Sequence, residues 1–277
     1  QTWTINGGTG PIMRLDSAAD ASDSIIINTH AGFNGATITS AFVGTIPIAN
    51  SGNYDLTFGT GGYSQAAGTF NGGAGTTTFS GGFNISGGTF NAATNTKITG
   101  LSHTLDVNNT QTFYNLTFQP NNGSGKIIAS GDTFIVLNDL YLNDGFVHNP
   151  GILEARGNVT IASTFDGGTT DLRFTGSSTS GMLNQNFTIP PYLFDGDVTV
   201  NKSEGEVVLL SSLFMNASNQ DLVISSGTLN LNGNNLSATG TANTIRGQGG
   251  TLKLIGSETI TAISIYPTFT STSTVAY

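Results

Sequence analysis

The chain has 277 residues, a formal net charge of −9 and only 9 % charged residues, and its eight Lys and Arg residues are scattered singly. Nucleic-acid binding requires a clustered basic surface, so a nucleic-acid partner is excluded. The chain has no cysteine, which excludes disulfides, thiolate metal sites and a cysteine nucleophile.

Short uncharged side chains supply most of the polarity of this sequence. Glycine accounts for 38 residues, and hydrophobic residues make up 37 %, which is too large a share for a disordered chain. Brief alternating runs bounded by Gly, Asn, Asp and Ser indicate strands and turns. No apolar run approaches the roughly 18 residues of a membrane-spanning helix, so membrane insertion is not expected. We therefore predict a folded all-β protein.

Residues 1–53 repeat less clearly than the rest, and we predict that they form a less regular lead-in or a cap. The only candidate for helical periodicity is the polar segment RLDSAADASDS at 14–24. The opening QTWTINGGTG lacks the basic start and apolar core of a signal peptide. Gln1 is therefore interpreted as the start of a processed or truncated piece.

Residues 54–277 carry a recurring strand motif, in which Asp or Asn is followed by an apolar–x–apolar triplet. The copies are YDLTF (54–58), YNLTF (114–118), NDLYL (138–142), GNVTI (157–161), TDLRF (170–174), GDVTV (196–200) and QDLVI (220–224). Leu116 and Leu140 are 24 residues apart, but Val159 and Leu172 are only 13 apart. Neighbouring copies are therefore not required to lie on the same face.

A second motif, GTFN, occurs at 68–71 and again at 88–91, within a stretch that has no charged side chain. Repeats of this length, built from two or three short strands, predict a parallel β-helix or β-solenoid with coils of about 20–26 residues. About 12 coils would stack into a rod on the order of 60 Å long. Phe residues would form internal ladders, and Asn and Thr would form polar ladders between coils.

Tandem β-sandwiches are the alternative fold. They predict strands at a spacing of about 8–12 residues, joined by hairpin turns such as Asn-Gly. Such pairs occur at Asn34-Gly35, Asn122-Gly123 and Asn232-Gly233.

The segment GGTFNAATNTKITGLSHTLDVNNTQTFYNLTF at 87–118, followed by NDLYLNDG and GNVTIAST, resembles the repeats of large bacterial surface proteins. These are adhesin-like parallel β-helix proteins of the filamentous-haemagglutinin type. The resemblance covers roughly residues 54–261 and concerns the residue types of the repeats and the repeat length. It implies an extracellular, cell-surface role in attachment, surface layers, fibres or biofilm.

The densest acidic patch contains Asp195, Asp197, Glu204 and Glu206. Hard oxygen ligands close in sequence suit Ca²⁺, although the spacing matches no recognised calcium loop. A calcium site at these four residues is therefore a prediction, and no other cofactor is expected. The Asp that precedes many strands is replaced by Asn in other copies, so we interpret it as turn chemistry and predict no catalytic residue.

We predict a non-enzymatic extracellular structural protein, a rod- or fibre-forming segment of a bacterial surface protein. The terminal TFTSTSTVAY at 268–277 alternates like a strand and lacks a polar cap, so we expect truncation there. Either a longer chain continues from it, or copies associate head to tail into a homo-oligomer or filament.

Two other functions stay open. An adhesin or glycan-binding module would contact surface glycans through exposed aromatic side chains, and Tyr63, Tyr141 and Tyr192 are the candidates for stacking on sugars. A carbohydrate-active β-helix enzyme or a phage-type tailspike would require clustered carboxylates.

Overall fold

A computed structural model describes residues 2–5, 9–10, 12–15, 24–27, 30–47, 53–190, 195–262 and 267–277. These residues form strands and turns without a helix, and most of the polar segment at 14–24 lies outside them. The described strands pair in parallel and stack as a β-solenoid of about 11 turns. The all-β solenoid prediction is confirmed over the tandem β-sandwiches, whose sheets would be antiparallel.

The strands are short, as the brief alternating runs of the sequence predict. In chain order they are β1 (Thr2–Ile5), β2 (Thr9–Gly10), β3 (Met13–Leu15), β4 (Ser24–Ile27), β5 (Ala31–Ile38), β6 (Thr45–Pro47), β7 (Leu56–Gln65), β8 (Thr69–Asn71), β9 (Thr76–Phe79), β10 (Phe83–Ile85), β11 (Thr89–Asn91), β12 (Asn95–Gly100), β13 (His103–Val107), β14 (Thr110–Phe113), β15 (Asn115–Pro120), β16 (Gly125–Ile128), β17 (Thr133–Val136), β18 (Asp139–Leu142), β19 (Gly145–His148), β20 (Ile152–Ala155), β21 (Asn158–Ile161), β22 (Phe165–Gly167), β23 (Asp171–Phe174), β24 (Gln185–Thr188), β25 (Val198–Leu209), β26 (Leu213–Met215), β27 (Asp221–Asn230), β28 (Leu236–Ala238), β29 (Thr244–Gly247), β30 (Thr251–Lys253), β31 (Ile260–Ala262), β32 (Thr268–Phe269) and β33 (Thr274–Ala276).

Each coil contributes three strands in the middle of the molecule. β14, β15 and β16 pair with β17, β18 and β19 of the next coil, which pair in turn with β20, β21 and β22. A strand therefore contacts the third strand after it, and the chain closes one coil before starting the next. The early strands join the same stack, since β5 pairs with β7 and β6 pairs with β8.

The register between coils follows the sequence repeats. Leu116 is opposite Leu140, and the two GTFN copies align residue by residue, with Phe70 opposite Phe90. Val159 pairs with Phe187, whereas Leu172, only 13 residues after Val159, pairs with Leu153 on another face. Hydrogen bonds between equivalent positions span from 19 to 28 residues, so the coils vary in length.

Aromatic side chains fill the interior of the first half of the rod. Phe58 and Phe79 stack with ring centroids 5.3 Å apart, and Phe70 and Phe90 stack at 4.9 Å. All four rings are buried. Alternation along each strand sends one residue in two inward, and the parallel register then places like side chains above one another. The predicted Phe ladders are confirmed.

Polar ladders run between coils at the strand ends, where the turns begin or finish, also as predicted. Asn115 Nδ2 donates to Asn95 Oδ1 at 2.9 Å, Asn158 Nδ2 donates to Asp139 Oδ1 at 3.0 Å, and Asn91 Nδ2 donates to Asn71 Oδ1 at 2.6 Å. These side-chain bonds join the same coils as the backbone pairing does, and they hold the turns of successive coils in line.

Close backbone approach explains the glycine at one turn between faces. A Cβ added to Gly157 would lie 1.5 Å from the backbone oxygen of Asn138 in the preceding coil. Real Cβ atoms do not approach so closely, so this position is restricted to glycine if the two coils are to stack.

Candidate functional site

The four acidic residues predicted to bind calcium do not converge on one point. Glu204 accepts hydrogen bonds from the backbone and the hydroxyl of Ser178, and Glu206 forms an ion pair with Lys253 at 2.7 Å. Among the described residues, no group of three or more His, Asp or Glu side chains could hold a metal ion. The structure therefore gives the calcium prediction no support.

The pKa values of these carboxyls follow from their separate surroundings. Hydrogen bonds from Ser178 lower the pKa of Glu204, and the contact with Lys253 lowers the pKa of Glu206. Partial burial raises the pKa of both Asp195 and Asp197. The carboxyls thus respond to different neighbours, although all four lie within or just before β25.

The recurring Asp before each strand bonds across coils. Asp197 Oδ1 accepts a hydrogen bond from the backbone N–H of Asp221 at 2.7 Å, and Asp221 Oδ1 accepts one from Thr244 N at 3.0 Å. Asp171 holds Asp197 in the same way at 3.3 Å. The interpretation as a structural backbone acceptor is right, but the bonded N–H belongs to the next coil and not to the local turn.

The three tyrosines proposed for sugar stacking differ in where they lie. Tyr63 is buried, with 2 % of its surface exposed, and its hydroxyl donates to Gln65 Oε1 at 2.6 Å inside the core. The stacking role predicted for Tyr63 is therefore wrong. Tyr141 is 36 % exposed on the outer side of β18, and Tyr192 lies outside the described residues.

A sequence signal for the burial of Tyr63 exists. GGY at 61–63 repeats as GGF at 81–83, and Tyr63 is opposite Phe83 in the parallel pairing of β7 with β10. The two rings stack with centroids 5.9 Å apart. Tyr63 therefore occupies a position that its neighbouring coil fills with phenylalanine.

Two buried lysines were not anticipated from the sequence. The side chain of Lys126 donates to the backbone oxygen of Leu101 at 2.5 Å, and burial lowers its pKa to about 8. Lys202 donates to Gln185 Oε1 at 2.7 Å and to the backbone oxygens of Gly176 and Met182, and burial lowers its pKa to about 8 as well. Both lysines bind carbonyl oxygens and form no ion pair among the described residues.

A shallow groove follows the corner between the face of β14 and the face of β15. It consists of two adjoining depressions of about 470 and 480 Å³, which share Tyr114 and Leu137. We call it the Tyr114 groove, and its principal lining residues are Phe90, Gln111, Tyr114, Leu137, Arg156 and Met182. Because the lining comes from five successive coils, no local motif of the sequence marks it.

The described part of the chain contains no helix long and apolar enough to cross a lipid bilayer. No protein-family model, no curated protein and no solved structure matches this chain. The fold and the chemistry of the chain's own side chains are therefore the basis for inferring its function.

Proposed function

We propose that this chain is a non-enzymatic scaffold of a bacterial surface protein, located outside the cell, in which a stiff β-solenoid sets a fixed distance. One observation carries the proposal: one face of the solenoid pairs strand to strand, coil after coil, along the described length. The strands of that face are β5, β7, β9, β12, β15, β18, β21, β24, β25, β27, β30 and β33.

Stiffness follows from the number of bonds that cross each coil boundary. Bending the rod at Leu116 and Leu140, for example, would stretch the backbone pairing of β15 with β18 and the side-chain bond from Asn138 to Asn115 together. The same boundary is held on the other faces by β14 with β17 and β16 with β19. Because these bonds are parallel to the rod axis, they resist bending as a set.

The surface location is supported by composition and by the resemblance to filamentous-haemagglutinin-type repeats. The chain has no cysteine, and its polarity comes from Thr, Asn, Ser and Gly with few charges. In a parallel stack, every coil presents the same kind of edge as the coil before it. Further coils of a longer chain, or another copy of this one, can therefore extend the rod along its axis.

Distance measurements between spin labels test the rigid rod. The chain has no native cysteine, so Thr57→Cys and Leu210→Cys provide two unique labelling sites, both exposed and seven coil steps apart on one face. The expected separation is about 34 Å, with a narrow distribution. A second pair, Thr57→Cys with Thr160→Cys, spans five steps and should give about 24 Å.

A broad distance distribution for both pairs, or equal distances for the two pairs, would overturn the scaffold proposal.

Negative-stain electron microscopy over a concentration series determines the particle shape and the assembly state. We expect elongated particles about 50 Å long, or linear multiples of that length if copies associate end to end. Rounded particles without a long axis would contradict the proposal.

A further inference from the structure

Tyr114 is an exposed aromatic ring on a rigid backbone. Half of its surface is exposed, which among the described tyrosines only Tyr277 exceeds. Its backbone oxygen accepts a hydrogen bond from Asn138 N at 2.9 Å, and the preceding Phe113 accepts one from Leu137 N at 3.0 Å. The ring is therefore presented to solvent from a turn that is fixed to the next coil. An aromatic face held in this way suits stacking against a flat apolar surface.

Gln111 supplies a fixed hydrogen-bonding group beside this ring. Its side chain is buried, with 8 % of the residue exposed, and it lines the same groove. Its Nε2 donates to the backbone oxygens of Phe90 at 3.1 Å and Thr112 at 2.9 Å, so the amide orientation is set. Among the described residues nothing donates to its Oε1. That oxygen remains as an acceptor for a ligand hydroxyl.

Charge in the groove is nearly balanced. Among the described residues that line the groove only Arg156 is charged, and its Nε donates to Glu154 Oε1 at 2.8 Å. The remaining polar lining consists of amides and hydroxyls, including Asn91, Thr112 and Ser180. With a chain charge of −9 as well, the groove offers little attraction to an anionic polymer.

The shape of the groove favours a linear ligand. Its lining runs from Phe90 to Met182 over four coil steps, which is about 19 Å along the rod axis. A peptide would bind best by adding a strand to an open sheet edge. β15 has no open edge, because it pairs with β12 on one side and β18 on the other. β14 pairs with β17 on one side only. On its other side the Gln111 amide donates to the backbone oxygens of Phe90 and Thr112, so these two acceptors are already occupied.

We propose that the Tyr114 groove binds a linear, uncharged oligosaccharide, with Tyr114 stacking on a sugar ring and Gln111 Oε1 accepting from a sugar hydroxyl. Sugar rings have apolar faces that match an aromatic side chain and an edge of hydroxyls that matches neutral amides. This binding site is separate from the role of the rod as a spacer, since it requires only the outer corner of five coils.

Isothermal titration calorimetry with the full chain tests the proposal. The probes are the hexasaccharides of β-1,4-linked glucose, α-1,4-linked glucose and β-1,4-linked N-acetylglucosamine. At least one should bind, Tyr114→Ala should weaken that binding about tenfold, and Tyr114→Phe should retain it because the stacking face is kept. Tyr141→Ala is the matched control, an exposed tyrosine that does not line the groove.

Failure of all three hexasaccharides to bind at millimolar concentration would overturn the proposal. An equal or larger loss of binding in Tyr141→Ala than in Tyr114→Ala would overturn it too, because the stacking residue would then lie on β18. Circular dichroism of both variants confirms that they are folded. Cleavage of the bound glycan would leave the groove assignment intact and would instead contradict the non-enzymatic scaffold.

Discussion

Two buried threonine hydroxyls predict an unusual gain in stability on mutation. Thr96 lies inward on β12, between Thr77 and Leu116 of the adjoining coils, and it is 2 % exposed. Among the residues that the structure describes, neither Thr77 Oγ1 nor Thr96 Oγ1 has a hydrogen-bond partner. We therefore expect Thr96→Val to stabilise the protein, since valine keeps the branched shape and removes the hydroxyl.

The size of this stability gain follows from the free-energy cost of burying an unpaired polar group. Leaving a hydroxyl buried without a partner costs about 1 to 3 kcal/mol, and the valine methyl fills the same space. Both residues are β-branched, so strand propensity and side-chain entropy change little. We expect the free energy of unfolding to rise by about 1 to 3 kcal/mol for Thr96→Val.

Urea denaturation followed by far-ultraviolet circular dichroism measures this difference, with an unchanged m-value showing that the unfolded state is the same. Thr78→Val is the matched control. It lies on the neighbouring strand β9, but its side chain points outward and is only partly buried. Its substitution should change stability by no more than about 0.5 kcal/mol.

Destabilisation by Thr96→Val would refute the reasoning, because it would show that the hydroxyl is hydrogen-bonded in the folded protein. An equal gain from Thr78→Val would refute it in another way. The gain would then reflect a general preference for valine in these strands and not the removal of an unpaired group.

Two further substitutions test the buried charge and the close coil contact. Lys126→Met should raise stability at pH 7 by about 1 to 3 kcal/mol, because methionine removes a charged group from the interior. Between about pH 8 and 10 the wild type should gain on the variant, since the lysine pKa is lowered to about 8 in the fold and returns to about 10.4 on unfolding. Gly157→Ala should cost about 3 kcal/mol or more, measured by thermal denaturation, because its Cβ would collide with Asn138.

Each of these tests has an internal control. His103, the cross-strand neighbour of Lys126, has a pKa lowered from its usual 6.5 and titrates below the alkaline window. A stability difference between wild type and Lys126→Met that stays constant from pH 8 to pH 10 would contradict a lysine pKa of about 8.

The control for Gly157→Ala is Gly82→Ala, which should leave the stability nearly unchanged because the nearest atom to its new Cβ is 3.8 Å away. Equal losses at Gly82 and Gly157 would contradict the collision argument.

The repeats predicted the fold because a parallel solenoid turns sequence similarity directly into spatial register. Leu116 with Leu140 and Phe70 with Phe90 are paired as the repeats predict. Strand alternation then explains why Phe70 and Phe90 are buried. In such a fold, residues at equivalent repeat positions become neighbours in space, so the sequence repeats identify the contacts between coils directly.

Side-chain partners between faces and across several coils could not be predicted in this way. Lys253 reaches Glu206 across 47 residues, two coils away, and this pair removes Glu206 from the predicted calcium site. Lys126 is buried where the alternation of β16 breaks, with two consecutive buried residues at Gly125 and Lys126. The Tyr114 groove combines five coils, so it exists only once the coil lengths and the register are known.

The short sequence distance between paired strands has a consequence for how the chain folds. Side chains of adjoining coils bond over 19 to 28 residues at nearly every level of the rod, so adding coils does not lengthen the loops that folding must close. Each finished coil acts as a template for the next, and order can advance along the chain from one nucleus. A segment of about 25 residues emerging from a ribosome or a secretion channel is then enough to add one layer, whatever the final length of the protein.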